Sequence, residues 1–331
     1  MTPRATVVLL GAATFLAACS SDDPPASPLS SADAGPAIRV SGLPQTCTRG
    51  PKSADRPATC NGAAELCDRA YDRVTVPMTH NAMSNADDGW SSPNQTHGIA
   101  RQLADGIRGM MLDVHYFDVE ANRNASERLE TATAPDQIYL CHSLCALGKR
   151  RLLDGLCEIT TFLDTHPGEV LSIVFETRVA DADLDAVLRA SGLVDYAYVH
   201  AAGQPWPKLR ELIDTDKRLV VFVETGGGEP AYLHPAFVGN IRDTPYSFEN
   251  ASDFSCRLNR GAAGDPLFLV NHWLGRPLAN VTYAQEVNVE GVLGKRVTDC
   301  TGEVGRPPTF VGVDFYEVGD LFSVVKKANG L

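Results

Sequence analysis

A (β/α)8-type TIM barrel, an α/β fold forming a single catalytic domain with disulfides, is the architecture this sequence predicts, and three observations predict it. From about residue 70 onward, short β-branched or aromatic runs alternate with stretches of helical spacing, the pattern of repeated βαβ units. Several runs are apolar on both alternations, as expected of parallel strands buried on both faces. The same runs end in polar residues, and in such barrels chemistry gathers at the carboxyl ends of the strands. The 331 residues suit one barrel of about 250 residues with extensions, and a 44 % hydrophobic fraction supplies a sizeable core.

The chain divides into three parts. Residues 1–18 read as an export leader: "MTPR" carries a positive charge, and "ATVVLLGAATFLAA" is short for a mature transmembrane helix. "LAAC" sets small residues before Cys19 and resembles the lipobox of bacterial lipoproteins, in which the cysteine is lipidated; the other reading is an ordinary secretory signal cleaved nearby. Both predict export, the first to the cell envelope with a lipid anchor. Residues 19–45, rich in Ser, Pro, Ala and Asp, read as a flexible tether. Residues 46–331 form the barrel domain.

Export bears on the cysteines. Apart from Cys19 there are eight: Cys47, Cys60, Cys67, Cys141, Cys145, Cys157, Cys256 and Cys300. An even number in an oxidising compartment points to disulfides. Zinc is the rival, but no CxxC pair or suitably spaced histidine pair is present. "CNGAAELC" is expected to close a loop from Cys60 to Cys67, with Cys256–Cys300 as a second bridge; the other four stay unassigned.

The strands are expected in "RVTVPMTH", "GMMLDVHYF", "QIYLCHS", "EVLSIVFET", "RLVVFVET", "PLFLVNHW" and "TFVGVDFYEV". Helices are expected in "GIARQLADG", "KRRLLDGLCEITTFLDTHPG", "DADLDAVLRASG", "WPKLRELIDTDK" and "GDLFSVVKKANG", several ending at Gly or a Pro-containing turn. Residues 227–262 read as loop-rich. At the strand ends stand His80 and Asn81, Asp113 and His115, His142, Glu176, Glu224, Asn271 and His272, and Asp314. Polar residues emerging from apolar strands have no packing reason to be there, so the strands converge on one site.

Two histidines on different strand ends, His80 and His142, suit a general base and a general acid. Each also has a structural reading, as a capped turn residue and as a neighbour of a disulfide. Asp113 and Glu176 interrupt apolar runs, where a carboxylate is costly unless it binds a cation or accepts hydrogen bonds. With the Asn81 amide oxygen they offer the hard oxygen ligands Ca²⁺ prefers, or they pair with Arg108, Arg178 or a histidine. Asp314 is placed to hold the tautomer of a neighbouring histidine, or to bond backbone. His97, His166, His200 and His234 receive no role. "TGGGEP" lacks the context of a phosphate loop, and no G-x-S-x-G elbow is present. A net charge of −12 argues against a nucleic-acid surface.

"VTVPMTHNAMS", "GIRGMMLDVHYF", "YLCHS" and "FVGVDFYEVGD" together resemble the X-domain of phosphatidylinositol-specific phospholipase C and its PLC-like phosphodiesterase relatives. Secreted bacterial and fungal members with "CNGAAELC" ahead of the first motif are the most similar. "KRLVVFVE", "TPYSF" and "LFLVNHW" extend the resemblance over roughly residues 57–331.

The resemblance implies a barrel that cleaves a phosphodiester by internal attack. His80 would deprotonate the inositol 2-hydroxyl, His142 would protonate the leaving diacylglycerol oxygen, and Asp314 would orient His80. The products would be cyclic inositol phosphate and diacylglycerol. Asn81, Asp113 and Glu176 match three ligands of the family's calcium-dependent members; His115, Arg108 and Tyr246 are expected to bind substrate. Metal-independent relatives carry an arginine where this chain has His115, while Met111 stands where calcium-dependent ones have a further acidic ligand. The expected partners are a phospholipid or phosphodiester substrate and a membrane reached through Cys19. Two alternatives remain open. One is another phospholipid or a glycerophosphodiester as substrate, although His80 is followed by Asn81 and not by arginine. The other is a head-group-binding barrel without turnover.

Overall fold

The computed structural model describes residues 44–53, 56–276 and 278–331. The expected leader over 1–18, Cys19 and the tether as far as residue 43 lie outside the described residues. One sheet contains the strands β1 (Val76–Thr79), β2 (Gly109–Asp118), β3 (Arg123–Ala125), β4 (Ile138–Leu140), β5 (Arg150–Arg151), β6 (Leu171–Arg178), β7 (Leu219–Val223), β8 (Leu233–Pro235), β9 (Ile241–Asp243), β10 (Leu267–His272) and β11 (Phe310–Val313). The helices are α1 (Ile99–Asp105), α2 (Ala134–Gln137), α3 (Leu152–Thr165), α4 (Asp181–Ser191), α5 (Leu209–Asp214), α6 (Val281–Val287), α7 (Lys295–Val304) and α8 (Leu321–Ala328).

The parallel strands follow the order β8-β7-β6-β2-β1-β11-β10-β9, which is chain order wrapped around a ring. No ladder joins β8 to β9 among the described residues. The expected closed barrel is therefore a curled parallel sheet, open at that junction. Two of its strands, β8 and β9, come from the stretch read as loop-rich.

The strand expected in "QIYLCHS" is not part of the ring. It forms β4, antiparallel to β2, and pairs with β5. The reason lies in unequal strand lengths. β1 reaches only Met110 of β2, so the upper edge of β2 would leave backbone groups unpaired; β4 takes Val114–Tyr116, and β3 takes Tyr116–Asp118.

Alternation along the strands makes two layers inside the sheet. Met78, Val174, Phe222, Ile241, Leu269 and Phe310 pack in one apolar cluster. Two residues further along, the inward position becomes polar: His80, Glu176, Glu224, Asp243 and Asn271, with Asp113 after Met111 and Asp314 after Gly312. The helices cover the outer face. Leu152, Leu156, Ile159 and Leu163 of α3 recur at helical spacing and are fully buried.

The structure forms the Cys60–Cys67 and Cys256–Cys300 bridges named above and adds Cys47–Cys157 and Cys141–Cys145.

Candidate active site

The polar layer opens at the carboxyl ends of the strands. His80 follows β1, and its N–H donates to the Val313 carbonyl at 3.0 Å, continuing the ladder to β11. Asn81 then turns the chain with a left-handed φ of 46°, which asparagine tolerates better than most residues. His80 Nδ1 lies 2.8 Å from Asp314 Oδ1, and Nε2 accepts from Asn81 Nδ2 at 3.2 Å. Together these bonds assign the proton to Nδ1 and leave Nε2 as the basic nitrogen. Asn94 Nδ2 donates to both Asp314 oxygens, at 3.2 and 3.3 Å. The indole of Trp273, just past β10, stacks on the His80 ring at 3.8 Å with planes 4° apart.

His142 lies at the rim, with its side chain exposed to solvent. Its ring makes no hydrogen bond and no ring contact with the described residues. Desolvation, and after it the charge of His80, holds its pKa below the ordinary histidine value, against the pull of Glu176 and Asp314. Those interactions place His80, His142, Glu176 and Asp314 around one mouth.

Asp113 and Glu176 are partners in the β2–β6 ladder, so both carboxylates face the same mouth. Asp113 is buried, and no described residue hydrogen-bonds its carboxylate. Burial first, and then the charges of Glu176 and Glu224, push its pKa well above the usual carboxylate range, while Arg178 opposes them. Glu176 accepts from Arg178 Nη2 at 3.0 Å. Glu224 accepts from Arg260 Nη1 at 3.0 Å, and the same guanidinium donates to the buried Asp243 at 2.7 Å.

A buried carboxylate without a donor, beside a second one, is chemistry that suits a hard cation. Met111 does not add a ligand. Its methyl packs against Gly312, where a Cβ would come within 2.9 Å of it. Among the described residues no cluster of three or more His, Cys, Asp or Glu side chains has metal-holding geometry.

The substrate-binding expectations divide. His115 is inside the mouth, and desolvation lowers its pKa to about 4, so it is neutral at physiological pH. Tyr246 lies against the Arg260 guanidinium, 4.8 Å from its ring centroid. Arg108 is a correction. It precedes β2, at the end of the sheet opposite the mouth, and binds Glu169 and the carbonyls of Leu103 and Ile107. The strand-end His272 also turns out to be structural: it faces outward, with Nε2 2.9 Å from the Val287 carbonyl. Asn94, Asn124 and Trp273 carried no signal of a role in sequence; only Trp273 stood inside a quoted motif.

Comparison with known proteins adds four findings. The PI-PLC X family matches residues 66–329. A PI-PLC X domain-containing protein of Arthroderma benhamiae is 30 % identical over 298 residues, covering 82 % of this chain and 90 % of its own. An uncharacterized secreted protein of the same organism is 29 % identical over 303 residues, again over 82 % of this chain. This chain spans 64 % of that relative's length. Among solved structures, a phosphatidylinositol-specific phospholipase C of Staphylococcus aureus superposes with a TM-score of 0.52 at 12 % identity, over 82 % of this chain and 98 % of its own. That likeness is one of fold.

Proposed function

The chain belongs to the PI-PLC X family, and we propose that it is a phosphodiesterase that cleaves phosphatidylinositol-type head groups by attack of the inositol 2-hydroxyl on its own phosphate. The observation that carries this reading is the unlike partnering of two imidazoles at one mouth. His80 is fixed by Asp314 and Asn81 with Nε2 basic, and His142 is left without a protein partner.

His80 Nε2 takes the 2-hydroxyl proton as the 2-oxygen bonds to phosphorus. His142, entering as imidazolium, gives its proton to the glycerol oxygen as the second phosphorus–oxygen bond breaks. The products are a cyclic inositol phosphate and diacylglycerol. Asp314 holds the His80 tautomer and balances the imidazolium that forms. Asn81, Asp113 and Glu176 would hold Ca²⁺, which would supply positive charge for the phosphate. Arg178, half-exposed beside Glu176, offers a second positive charge. His115 and Tyr246 line the remaining substrate space. Export through residues 1–18 and anchoring at Cys19 belong to the same reading, supported by the leader's composition and by a relative named as secreted.

The test is release of water-soluble inositol phosphate from phosphatidylinositol vesicles by wild type, His80→Ala and His142→Ala. Each substitution should lower kcat by at least about 10²-fold, the range expected when a positioned acid or base is removed. Variants as active as wild type, or a folded wild type releasing nothing, would defeat the reading.

A further inference from the structure

We infer that Asn124 and the Cys141–Cys145 bridge form a positioning device for His142, holding its imidazole where the leaving oxygen departs; the inference rests on the function proposed above. It starts from an asymmetry between the two histidines. His80 is gripped by Asp314, Asn81 and Trp273. The ring of His142 has no partner among the described residues, so its reach is set by the backbone that carries it.

That backbone is a small covalent ring. Cys141 and Cys145 are four residues apart and disulfide-bonded, and both are fully buried. The Cys141 N–H donates to the Asp113 carbonyl at 3.2 Å, which fastens one end of the ring to β2. Asn124 of β3 fastens the other end. Its Nδ2 donates to the Ser143 carbonyl at 2.6 Å, and its Oδ1 accepts from the Cys145 N–H at 3.1 Å. Inside the ring the Leu144 N–H donates to the His142 carbonyl at 2.7 Å, and Ser143 holds a left-handed φ of 56°. One side-chain amide therefore uses its donor and its acceptor to hold the two residues flanking Leu144. Aspartate at 124 would lack the donor, and alanine would lack both groups.

Such a device matters only for the proton given to the leaving group. A glycerol oxygen leaves as a strongly basic alkoxide unless it is protonated as its bond to phosphorus breaks. A nitrophenolate is a weak base and departs without that proton. Displacement of His142 should therefore slow cleavage of the lipid and spare an aryl ester that has the same inositol nucleophile.

The experiment compares kcat on phosphatidylinositol vesicles with kcat on inositol 1-(4-nitrophenyl) phosphate. The proteins are wild type, Asn124→Ala and the double variant Cys141→Ser/Cys145→Ser, with thermal unfolding as the check on folding. Asn124→Ala leaves all four bridges in place and carries the test if the double variant does not fold. The lipid rate should fall about 10²-fold, and the aryl rate should stay within about threefold of wild type. An equal fall on both substrates, or no fall on the lipid, would overturn the inference while leaving the proposed function standing. Wild type inactive on both substrates would overturn the proposed function, and this inference with it.

Discussion

His80 is held by three different physical forces, and each makes its own demand on the chemistry. Asp314 fixes the tautomer, Asn81 touches the basic nitrogen, and Trp273 fixes the plane of the ring. An aromatic pair of this kind contributes roughly 1 kcal/mol beyond its buried area, and roughly 1 kcal/mol corresponds to about fivefold in rate. Trp273→Ala should therefore lower kcat several-fold with little change in KM, and Trp273→Phe should restore most of it. Steady-state kinetics on vesicles decides this; a rise in KM alone would assign Trp273 to substrate binding. At this scale the parts of the site legible in sequence were those that break a strand's apolar run, such as His80, Asp113, Glu176 and Asp314. Asn94 was not legible, because its contact with Asp314 spans 220 residues and leaves no local pattern.

The end of β10 shows how an element is locked by a buried histidine. His272 donates from Nε2 to Val287 of α6 and accepts at Nδ1 from Arg296 of α7, at 3.3 Å. Burial first, and then the Arg296 charge, lowers its pKa to about 3. The folded value lies below the unfolded one, so between them the unfolded chain binds the extra proton. The stabilising contribution is complete above pH ~6.5 and is lost as pH falls toward 3, a matter of a few kcal/mol. Thermal unfolding of wild type should therefore show Tm falling from pH 6.5 to 4, and His272→Gln should show a shallower slope; parallel slopes would refute this account of β10. Elements differed in legibility for physical reasons. Long buried runs such as those of β2 and β6 declared themselves. The three-residue β8 and β9 are too short to show a period, and β4 is as apolar as a ring strand, with only its pairing partner to tell them apart.

Across the whole molecule, one end of a curled parallel sheet carries the charge and the other end carries apolar packing. The Cys47–Cys157 bridge staples the segment before the barrel to α3 across 110 residues, a constraint on the order of 4–5 kcal/mol in the chain-entropy account. At the charged end, Asp113, Glu176 and Glu224 stand close enough to raise the pKa of Asp113, an arrangement that a bound cation would relieve. Product release should accordingly slow about tenfold or more in EDTA and recover with added Ca²⁺, since a charge clamp on the phosphate is a large catalytic term. An unchanged rate in EDTA would leave the phosphate to the protein's own cations, with Arg178 at the mouth.

The measurement that reaches the central claim most directly is phosphorus NMR of the products formed from phosphatidylinositol vesicles. Internal attack by the 2-hydroxyl predicts a cyclic inositol phosphate as the first new signal, absent with His80→Ala. A linear inositol monophosphate appearing first, with no cyclic species before it, would show that water attacks the phosphorus and would contradict the account.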